Sequence, residues 1–505
     1  MNGFPSSVAQ PRAGSCCDTL VRACNGELSP SRGTCGAFLA KRQPNVVFVL
    51  MDQWRAQAFG YRGDPNARTP AVDALSRESF DFSNAVSGFP VCSPYRASLM
   101  TGQYAVRHGL VVNDVELKPR GATLGETFRK AGYATGYIGK WHIYGSPEGK
   151  FERRLAYIPE ASRFGFDYWK ACECTHDYNR SLYYEGADSS QRYWEGYDAI
   201  AQTRDACEYI RKRGAASDPY FLLLSLGPPH DPYGTAPERY QALYRGRQLT
   251  LRGNVPESHR EEAMKNLRGY YAHMAALDDC VQQLKDAVDA TGKVEDTIFV
   301  FASDHGDMLQ SQGLHHKQQP WEESLRVPFL IRYPRLLGRK RRTSITPIDA
   351  PDIFPTLAGL AGLGRIESAQ GTDYAPLIRG ERKDEAEPAA LLNLPASFSV
   401  VRRQGFAEYR GVRTPRHTYV RSIHGPWLLY DNHKDPLQKR NLVGKDHGLE
   451  ARMERKLEAL LRRAGDEFLP GARYVEQAHA SHYREVTAPV GHVKSPWGDW
   501  ESTWR

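Results

Sequence analysis

The sequence predicts an α/β fold: a large, mostly parallel sheet flanked by helices, followed by a smaller C-terminal α+β subdomain with an antiparallel sheet. Two patterns support this prediction. Apolar segments of strand length alternate with segments of helical periodicity, which is typical of parallel sheets covered on both faces. After about residue 375 the pattern changes to short alternating segments and an amphipathic helix at 448–468, which favours a small antiparallel sheet.

Five segments predict the main strands of the large sheet. They are 45–51 (NVVFVLM), 133–139 (YATGYIG), 220–226 (YFLLLSL), 296–302 (DTIFVFA) and 327–333 (VPFLIRY). Most of them are apolar without alternation, as expected for strands that bury both faces. Helix-forming segments lie between them, as the crossovers of a parallel sheet require.

Capping residues mark the predicted helices. Thr69 and Pro70 stand at the start of TPAVDALSRES, where a polar cap and a proline in the first turn are favoured. A second helix is predicted over 123–131, with Gly132 to end it, and a long helix over 258–288.

The stretch CSPYRASLMTG predicts a further helix with a cysteine at its start. Ser93 suits the cap, Pro94 the first helical position and Gly102 the end. A thiol at a helix N-terminus is acidified and reactive. The nearest downstream histidine, His108, is distant along the chain and is interpreted as structural. Whether Cys92 is a nucleophile, a metal ligand or something else stays open at this point.

Composition bounds the class of protein. The 505 residues are long enough for a large core, and 41% hydrophobic and 25% charged residues are ordinary for a globular chain. No apolar run reaches the ~20 residues of a membrane span. The net charge of +8 is spread out, and its one cluster, GRKRR at 338–342, is interpreted as a solvated loop. We therefore expect neither a nucleic-acid nor a membrane partner.

The N-terminal segment differs from the rest of the chain. Four of the nine cysteines fall in the first 35 residues, within a Ser-, Gly- and Pro-rich stretch without apolar periodicity. Residues 1–43 are predicted to be disordered or poorly ordered. They lack the apolar core of a secretory signal, so the chain as written is expected to be cytoplasmic. The alternative is export, if a wrongly assigned start codon hides a signal peptide.

Side chains that are ionisable or can bind a metal follow four of the predicted strands. In chain order they are Asp52 and Gln53, Lys140 and His142, His230, and Asp304 and His305. Ligands of parallel sheets bind beyond the carboxyl ends of the strands. Strand ends are often polar for no functional reason, and this would explain one or two of the four strands. It does not explain why three of the four strands are followed by a histidine when the chain has only 16. The pattern predicts an active site at this edge.

Part of this set suits a hard divalent cation. Asp52, Asp304, His305 and the amide oxygen of Gln53 form a mostly oxygen-rich group of ligands. Ca²⁺ and Mg²⁺ prefer oxygen ligands, and Mn²⁺ tolerates an added imidazole. A zinc site would be expected to have more histidine or cysteine.

The remaining residues predict an anionic substrate. Lys140, Arg96 and Lys317 would bring several positive charges close to the cation. Such a cluster is costly unless an anion neutralises it. His142 and His230 are then candidates for proton transfer.

With ASLMTG after it, the Cys-x-Pro-x-Arg pattern resembles the formylglycine signature of the type I sulfatases, in the alkaline phosphatase superfamily. Further segments are similar to that family's motifs in the same order. They are NVVFVLMDQWR, GYATGYIGKWH, GPPHDPY, FASDHGDMLQSQGLHHKQQPWEESLRVPFLIRYP, GVRTPRHTYV and PWLLYDNHKDPLQKRNL. In this family a dedicated enzyme oxidises the signature cysteine to formylglycine, and the hydrated aldehyde is the nucleophile.

The resemblance implies a role for each site residue. The ligands of the cation, calcium (Ca²⁺) with Mg²⁺ or Mn²⁺ as alternatives, would be Asp52, Gln53, Asp304, His305 and the modified Cys92. Arg96 would stabilise the formylglycine hydrate, and Lys140 and Lys317 would hold the sulfate oxygens. His230 would lie near the leaving group. Together with Lys317 it would protonate that group. His142 would take a proton from the second hydroxyl of the hydrate and so expel sulfate.

The resemblance also implies domains, substrate and partner. Residues 44–375 would form an alkaline-phosphatase-like sulfatase catalytic domain, and residues 376–505 the C-terminal subdomain and tail. The substrate would be an organic sulfate ester, with a sulfated carbohydrate favoured by the aromatic and basic inserts. One insert, ACECTHDYNRSLYYEG at 171–186, is expected either to shape the leaving-group subsite or to be a loop that simply packs through its tyrosines. A formylglycine-generating or other sulfatase-maturing enzyme would be a partner.

Two departures keep an alternative open. Many family members have a second aspartate where this chain has Gln53, and asparagine where it has His305. The Asp-Gln and Asp-His forms occur together in choline sulfatases and phosphonate monoester hydrolases, so a phosphonate monoester or phosphodiester hydrolase is the second hypothesis. The Lys140 and His142 pair favours sulfate esters. A third hypothesis, a non-catalytic binding protein, predicts an unmodified thiol at Cys92.

Overall fold

The computed structural model describes residues 43–480 and two short antiparallel strands beyond them, His492–Lys494 and Glu501–Thr503. The predicted disordered extension, 1–43, lies outside the described residues apart from its last residue. The described residues from 43 onward belong to one compact unit, and a domain boundary at residue 375 stays a prediction. No helix in the described part of the chain is both long and apolar enough to cross a membrane.

A ten-stranded sheet forms the centre of the described structure. Its strands are β1 (Asn45–Asp52), β2 (Phe80–Phe82), β3 (Ala134–Lys140), β4 (Tyr168–Cys172), β5 (Leu182–Glu185), β6 (Asp188–Tyr193), β7 (Tyr220–Pro229), β8 (Thr297–Ser303), β9 (Phe329–Arg332) and β10 (Arg342–Ser344). Their order is β10-β2-β9-β8-β1-β7-β3-β4-β5-β6. The neighbours β8, β1, β7 and β3 are all parallel, which confirms the predicted fold class. Antiparallel pairs occur toward both edges.

Helices cover both faces of this sheet. Those up to the C-terminal region are α1 (Pro70–Arg77), α2 (Cys92–Thr101), α3 (Ala105–His108), α4 (Leu124–Lys130), α5 (Asp198–Gly214), α6 (Glu238–Gln241), α7 (Arg260–Ala290), α8 (Glu322–Leu325), α9 (Pro334–Leu337), α10 (Ala350–Ala361) and α11 (Ala375–Arg379). Phe48 of β1 packs in a core with α2, α4 and α10, whereas its neighbour Val49 packs in a second core with α1, α5 and α7. Because successive strand residues point to opposite faces, the unbroken apolar run of β1 fills both cores.

A second sheet follows in the C-terminal region. Its four antiparallel strands are β11 (Ala390–Leu394), β12 (Tyr409–Arg413), β13 (His417–Ser422) and β14 (Gly425–Asp431). The helices here are α12 (Ser399–Arg403), α13 (His447–Ala464) and α14 (Gly471–Gln477). Leu449, Met453 and Leu457 of α13 pack on one face of the sheet, as the predicted amphipathic pattern requires. The helix stops at Ala464 rather than at 468 because Gly465 takes a left-handed conformation, with a φ of 69°.

Two local predictions were wrong. Helix α2 begins at Cys92 itself, after an extended Val91 whose carbonyl accepts the Tyr95 N–H at 3.0 Å, so Ser93 is not the cap and Pro94 is not the first helical residue. Pro94 is tolerated because first-turn N–H groups have no partner within a helix. Of the two expectations for the insert at 171–186, a simple loop does not describe it, since it contributes the end of β4 and all of β5.

Candidate active site

The ten residues that the sequence predicts for the site come together at one edge of the large sheet. These residues, called the strand-end centre below, are Asp52, Gln53, Cys92, Arg96, Lys140, His142, His230, Asp304, His305 and Lys317. The strands β3, β7, β1 and β8 are neighbours and end at this edge, and α2 begins there. Lys317 is partly exposed, and the other nine residues are buried.

Four side chains of the centre could hold a metal ion. One ligand atom each from Asp52, Cys92, Asp304 and His305 all lie within 4.8 Å of one another. The Cys92 Sγ is 3.2 Å from the His305 Nε2 and 3.8 Å from an Asp52 oxygen. Two buried carboxylates with one imidazole form a set that suits a hard or borderline divalent cation.

Gln53 joins this group through two contacts that fix its orientation. Its Nε2 donates to Asp307 at 2.6 Å, which leaves Oε1 to accept from Lys317 at 2.9 Å. Its backbone N–H donates to Asp304 at 3.1 Å. Gln53 has a φ of 73°, a left-handed conformation that is common at functional sites when the surroundings hold it in place. Asp307 was missed by the sequence reasoning, although it lies in the SDHGD motif.

Arg96 and Lys140 place positive charge beside the carboxylates. Arg96 lies four residues after Cys92, on the same face of α2, and its Nη2 is 3.2 Å from both Asp52 and Asp304. Its Nη1 donates to the Ser225 hydroxyl at 2.6 Å. The Lys140 Nζ lies 2.6 Å from Asp52 Oδ2, the same oxygen that Arg96 contacts.

The centre strongly favours the ionised form of Cys92. Burial by itself would raise the pKa of the thiol. The charges of Lys140, Lys317 and His305 outweigh burial and hold that pKa well below its usual range. The site is therefore one in which negative charge at the position of Cys92 is stabilised.

The two carboxylates of the centre differ in their ionisation. Burial and the neighbouring charge of Asp52 raise the pKa of Asp304. Burial also opposes ionisation of Asp52, but the cations around it, Lys140 foremost, keep its pKa below the usual range. A cation bound between the carboxylates would remove their mutual repulsion, so the donor set fits a divalent ion.

His142 lies between an acidic residue and a second thiol. Its Nε2 is 3.8 Å from an Asp114 oxygen, and Asp114 is itself held by Arg154 at 2.9 and 3.0 Å. Burial lowers the pKa of His142, but Cys174 and Asp114 reverse the effect and raise it well above its usual value. Sequence reasoning missed Asp114, which only the fold brings close to His142.

His230 lies on the outer side of the centre. Its Nε2 is 2.5 Å from the Lys317 Nζ, and its Nδ1 is 2.9 Å from the carbonyl of Asp231. Burial and the charge of Lys317 lower its pKa, which keeps the ring neutral. The ring of His176 stacks on His230 at 4.4 Å. The insert at 171–186 therefore reaches the site through His176.

Two further residues near Cys92 have structural contacts. His108 is buried, and its Nε2 is 3.0 Å from the Ser98 hydroxyl, which fits the structural interpretation. The side chain of Asn113 accepts the backbone N–H of Ser93 at 3.1 Å and so holds the start of α2.

Comparison with known proteins identifies the family. A Sulfatase family profile matches residues 44–363, and a profile for the C-terminal part of N-sulphoglucosamine sulphohydrolase matches residues 311–464. The chain is 39% identical over 468 residues to an ulvan-active sulfatase of Formosa agariphila, an alignment that covers 90% of this chain and 89% of that protein. The chain belongs to the sulfatase family.

Other relatives agree with this assignment. The sulfatase is 31% identical over 451 residues to an endo-4-O-sulfatase of Bacteroides thetaiotaomicron, covering 79% of this chain and 88% of that one. Its structure matches a solved yidJ sulfatase of Bacteroides fragilis with a TM-score of 0.76 and 27% identity, covering 86% and 98% of the two chains. The resemblance inferred from CSPYRASLMTG is confirmed, and the protein is a sulfuric ester hydrolase.

Proposed function

We propose that this sulfatase hydrolyses a sulfate ester of a carbohydrate, with a formylglycine generated from Cys92 and a bound Ca²⁺ ion. One observation carries the proposal: Cys92 begins α2 beside two buried carboxylates, within a group of cations that favours negative charge at its side chain. An activated nucleophile next to a site for an oxyanion is the arrangement that ester hydrolysis requires.

The carbohydrate substrate is supported by two relatives. The named activities of the 39% and 31% identical proteins are an ulvan-active sulfatase and an endo-4-O-sulfatase. Both relatives align over most of their length, so the comparison includes the regions around the site. A sulfated saccharide also suits the surface of this chain, which carries a net charge of +8.

The residues present fit a divalent cation. Asp52, Gln53, Asp304 and His305, together with the modified Cys92, would hold it, and its charge would stabilise the anionic nucleophile and the sulfate oxygens. Ca²⁺ is favoured because most of these ligands are oxygens, with Mg²⁺ and Mn²⁺ as alternatives.

The cationic side chains would bind and orient the sulfate group. The ammonium groups of Lys140 and Lys317 each carry three N–H donors and would each donate to a sulfate oxygen. Arg96 is fixed by Asp52, Asp304 and Ser225, so it can hold the reacting group of residue 92 without moving.

Two histidines would handle the protons. His230 is neutral and lies 2.5 Å from the charged Lys317 on the outer side of the centre, so Lys317 can supply a proton to the leaving alcohol, directly or through the ring of His230. His142 is buried beside Asp114, which stabilises the charged ring after the histidine has taken a proton.

Formylglycine supplies a hydrate whose second hydroxyl lets sulfate leave by elimination instead of by a second attack at sulfur. Its formation needs a sulfatase-maturing enzyme. Every residue of Cys92–Thr101 is buried in the folded chain. We therefore expect the maturing enzyme to act before the domain closes.

Two measurements test the proposal. Peptide mass spectrometry of natively produced protein should show residue 92 as formylglycine. A sulfate-release screen over defined sulfated saccharides should then find at least one substrate. A fully unmodified thiol together with no sulfate release would contradict the proposal.

Paired aryl sulfate and aryl phosphate or phosphonate esters separate the proposed activity from the alternative. Lys140 and His142 both lie in the centre, which favours sulfate esters. We expect a higher kcat/KM for the sulfate ester of each pair. Faster turnover of the phosphorus esters would reverse the assignment in favour of a phosphonate monoester or phosphodiester hydrolase.

A further inference from the structure

A second polar cavity lies beside the loop that follows β1. It has a volume of about 390 Å³ and lies between that loop, α7 and the segment before β9. Its charged and phenolic lining residues are Arg55, Arg62, Asp64, Arg252, Tyr271 and Arg326. None of these belongs to the strand-end centre.

Arg55 is the most unusual residue of this cavity. Its side chain is only 2% exposed, yet no described residue forms a hydrogen bond or ion pair with its guanidinium group, and its Nε is buried without a partner. Buried charged groups normally find partners, because an unsatisfied one keeps its full desolvation penalty. The backbone N–H of Arg55 is held by the Tyr270 hydroxyl at 2.9 Å, so the residue is fixed in place.

The other three arginines of the cavity are only partly satisfied. Arg62 binds Asp81 at 2.7 Å, Arg252 binds Glu323 at 2.8 Å, and Arg326 lies 3.5 Å from Glu322. The Nε atoms of Arg62 and Arg326 are buried and have no partner among the described residues. Four arginines therefore line one cavity, and not all of their N–H donors have an acceptor among the described residues.

The carboxylates nearby do not balance these charges. Asp81 also binds Arg341 at 2.5 Å, and Glu322 also binds Arg413 at 2.7 Å. Asp64, which lines the cavity, accepts from the Tyr271 hydroxyl at 2.5 Å and keeps its negative charge. Burial lowers the pKa of Arg55, whereas Tyr271, Tyr270, Asp64 and Glu323 raise it. The arginines that line the cavity or share its carboxylates nevertheless outnumber those carboxylates, Arg55, Arg62, Arg252, Arg326, Arg341 and Arg413 against Asp64, Asp81, Glu322 and Glu323. Positive charge is therefore in excess around the cavity.

The ionisation of Arg326 reflects this excess. Burial lowers its pKa, and the charges of Arg413 and Arg62 lower it further, against the opposing effect of Glu322. An anion in the cavity would relieve the repulsion among the guanidinium groups.

We propose that this cavity is a second binding site, for an oxyanion group carried by a ligand no larger than a monosaccharide. A sulfate, phosphate or carboxylate would accept the unpaired N–H donors, and arginine matches such groups through paired, planar hydrogen bonds. The cavity volume lies within the ~300–1,000 Å³ typical of small-molecule sites and exceeds what a bare inorganic ion needs.

The site is connected to the strand-end centre through the backbone. Tyr270 accepts from the N–H of Arg55 and donates to the carbonyl of Gln53 at 2.8 Å. Gln53 lies two residues before Arg55, so an anion held by Arg55 would stiffen the loop that carries Gln53. The two sites share this loop but no side chain.

Crystals of the Cys92→Ala variant soaked with selenate provide the site-specific test, because selenium scatters anomalously and this variant turns over no ester. We expect one anomalous peak at the strand-end centre and a second in contact with Arg55. The second peak should disappear in Cys92→Ala/Arg55→Gln. A filled centre with an empty cavity, or a cavity peak that survives Arg55→Gln, would overturn the proposal.

Isothermal titration with inorganic sulfate and with a monosaccharide sulfate distinguishes a free oxyanion from an oxyanion group carried by a saccharide. In the Cys92→Ala variant we expect two binding sites per chain. The number should fall to one when Arg55→Gln is added, or when Arg252→Gln is added at a position more exposed than Arg55. Arg339→Gln is the matched control, since Arg339 pairs with Glu295 away from the cavity and should leave two sites. At least tenfold tighter cavity binding of the sugar sulfate would identify a saccharide ligand, and equal affinities a free oxyanion. One site in the parent would refute the proposal.

Discussion

The strand-end centre and the C-terminal sheet both bury charged side chains, but they balance those charges differently. Arg410 in the second sheet is fully buried and forms a two-point ion pair with Asp466, which also accepts from the Tyr474 hydroxyl at 2.5 Å. In the centre, Arg96 is shared between Asp52 and Asp304. The ion pair in the sheet is complete by itself, whereas the centre gathers cations and carboxylates that need further ligands.

The difference shows which buried charges serve stability and which serve chemistry. Arg413 pairs with Glu322 at 2.7 and 3.0 Å and so links β12 to α8. Removing one partner of such a pair leaves a buried charge uncompensated and should reduce stability. Removing a residue of the centre should mainly reduce turnover, because that cluster is already unbalanced before it binds its ligands.

The largest effect on turnover is expected for Cys92→Ala, which removes the precursor of the nucleophile. Sulfate release should fall by roughly 10⁴-fold or more, while the thermal unfolding midpoint stays close to that of the parent. Cys207→Ala, at a buried thiol of α5, is the control and should keep its activity. Substantial activity in Cys92→Ala would refute the proposed mechanism.

Removal of the metal tests the other half of the centre. Treatment with a chelator should lower kcat by roughly 100-fold or more, since a bound cation contributes several kcal/mol to the stabilisation of developing charge. Added Ca²⁺ should restore activity. Full activity after exhaustive chelation, with no metal detected by elemental analysis, would contradict the assignment of Asp52, Gln53, Asp304 and His305 as ligands.

Breaking the ion pair of the C-terminal sheet should have the opposite effect. Arg410→Met leaves Asp466 buried without its cation, so the free energy of unfolding should fall by about 3–5 kcal/mol. The kcat of the folded enzyme should not change. Arg416→Met is the matched control, because its pair with Asp431 is half exposed and should contribute only about 0–1 kcal/mol. Equal losses of stability in the two variants would show that burial does not set the difference.

The effect that is smallest at neutral pH concerns His108, a buried titratable group outside the centre. Burial lowers its pKa from 6.5 to about 3, so between these values the unfolded chain binds a proton that the folded chain does not. Stability should be fully present above pH 6.5 and decrease as the pH falls, by about 1.4 kcal/mol per unit from this group. His108→Gln should lack this component. Denaturation curves of the two proteins with the same pH dependence would exclude it.

The sequence was most informative about the central strands. Continuous apolar runs such as 45–51 and 220–226 can only be buried on both faces, and the polar residues that follow them then share one edge. The positions of the strand ends along the chain were therefore enough to predict that Asp52, His230 and Asp304 lie together. The same kind of local pattern failed at the start of α2, where an extended Val91 rather than a side-chain cap begins the helix.

The sequence by itself determined the sheet, its helices and the residue types of the centre, because apolar periodicity and strand ends are local properties. Only the tertiary structure decided which side chains meet across distant segments. It placed Asp114 beside His142, Asp307 behind Gln53, and Arg55 in a cavity without an acceptor. These contacts depend on how separate loops pack, and no local pattern in the chain encodes the distance between them.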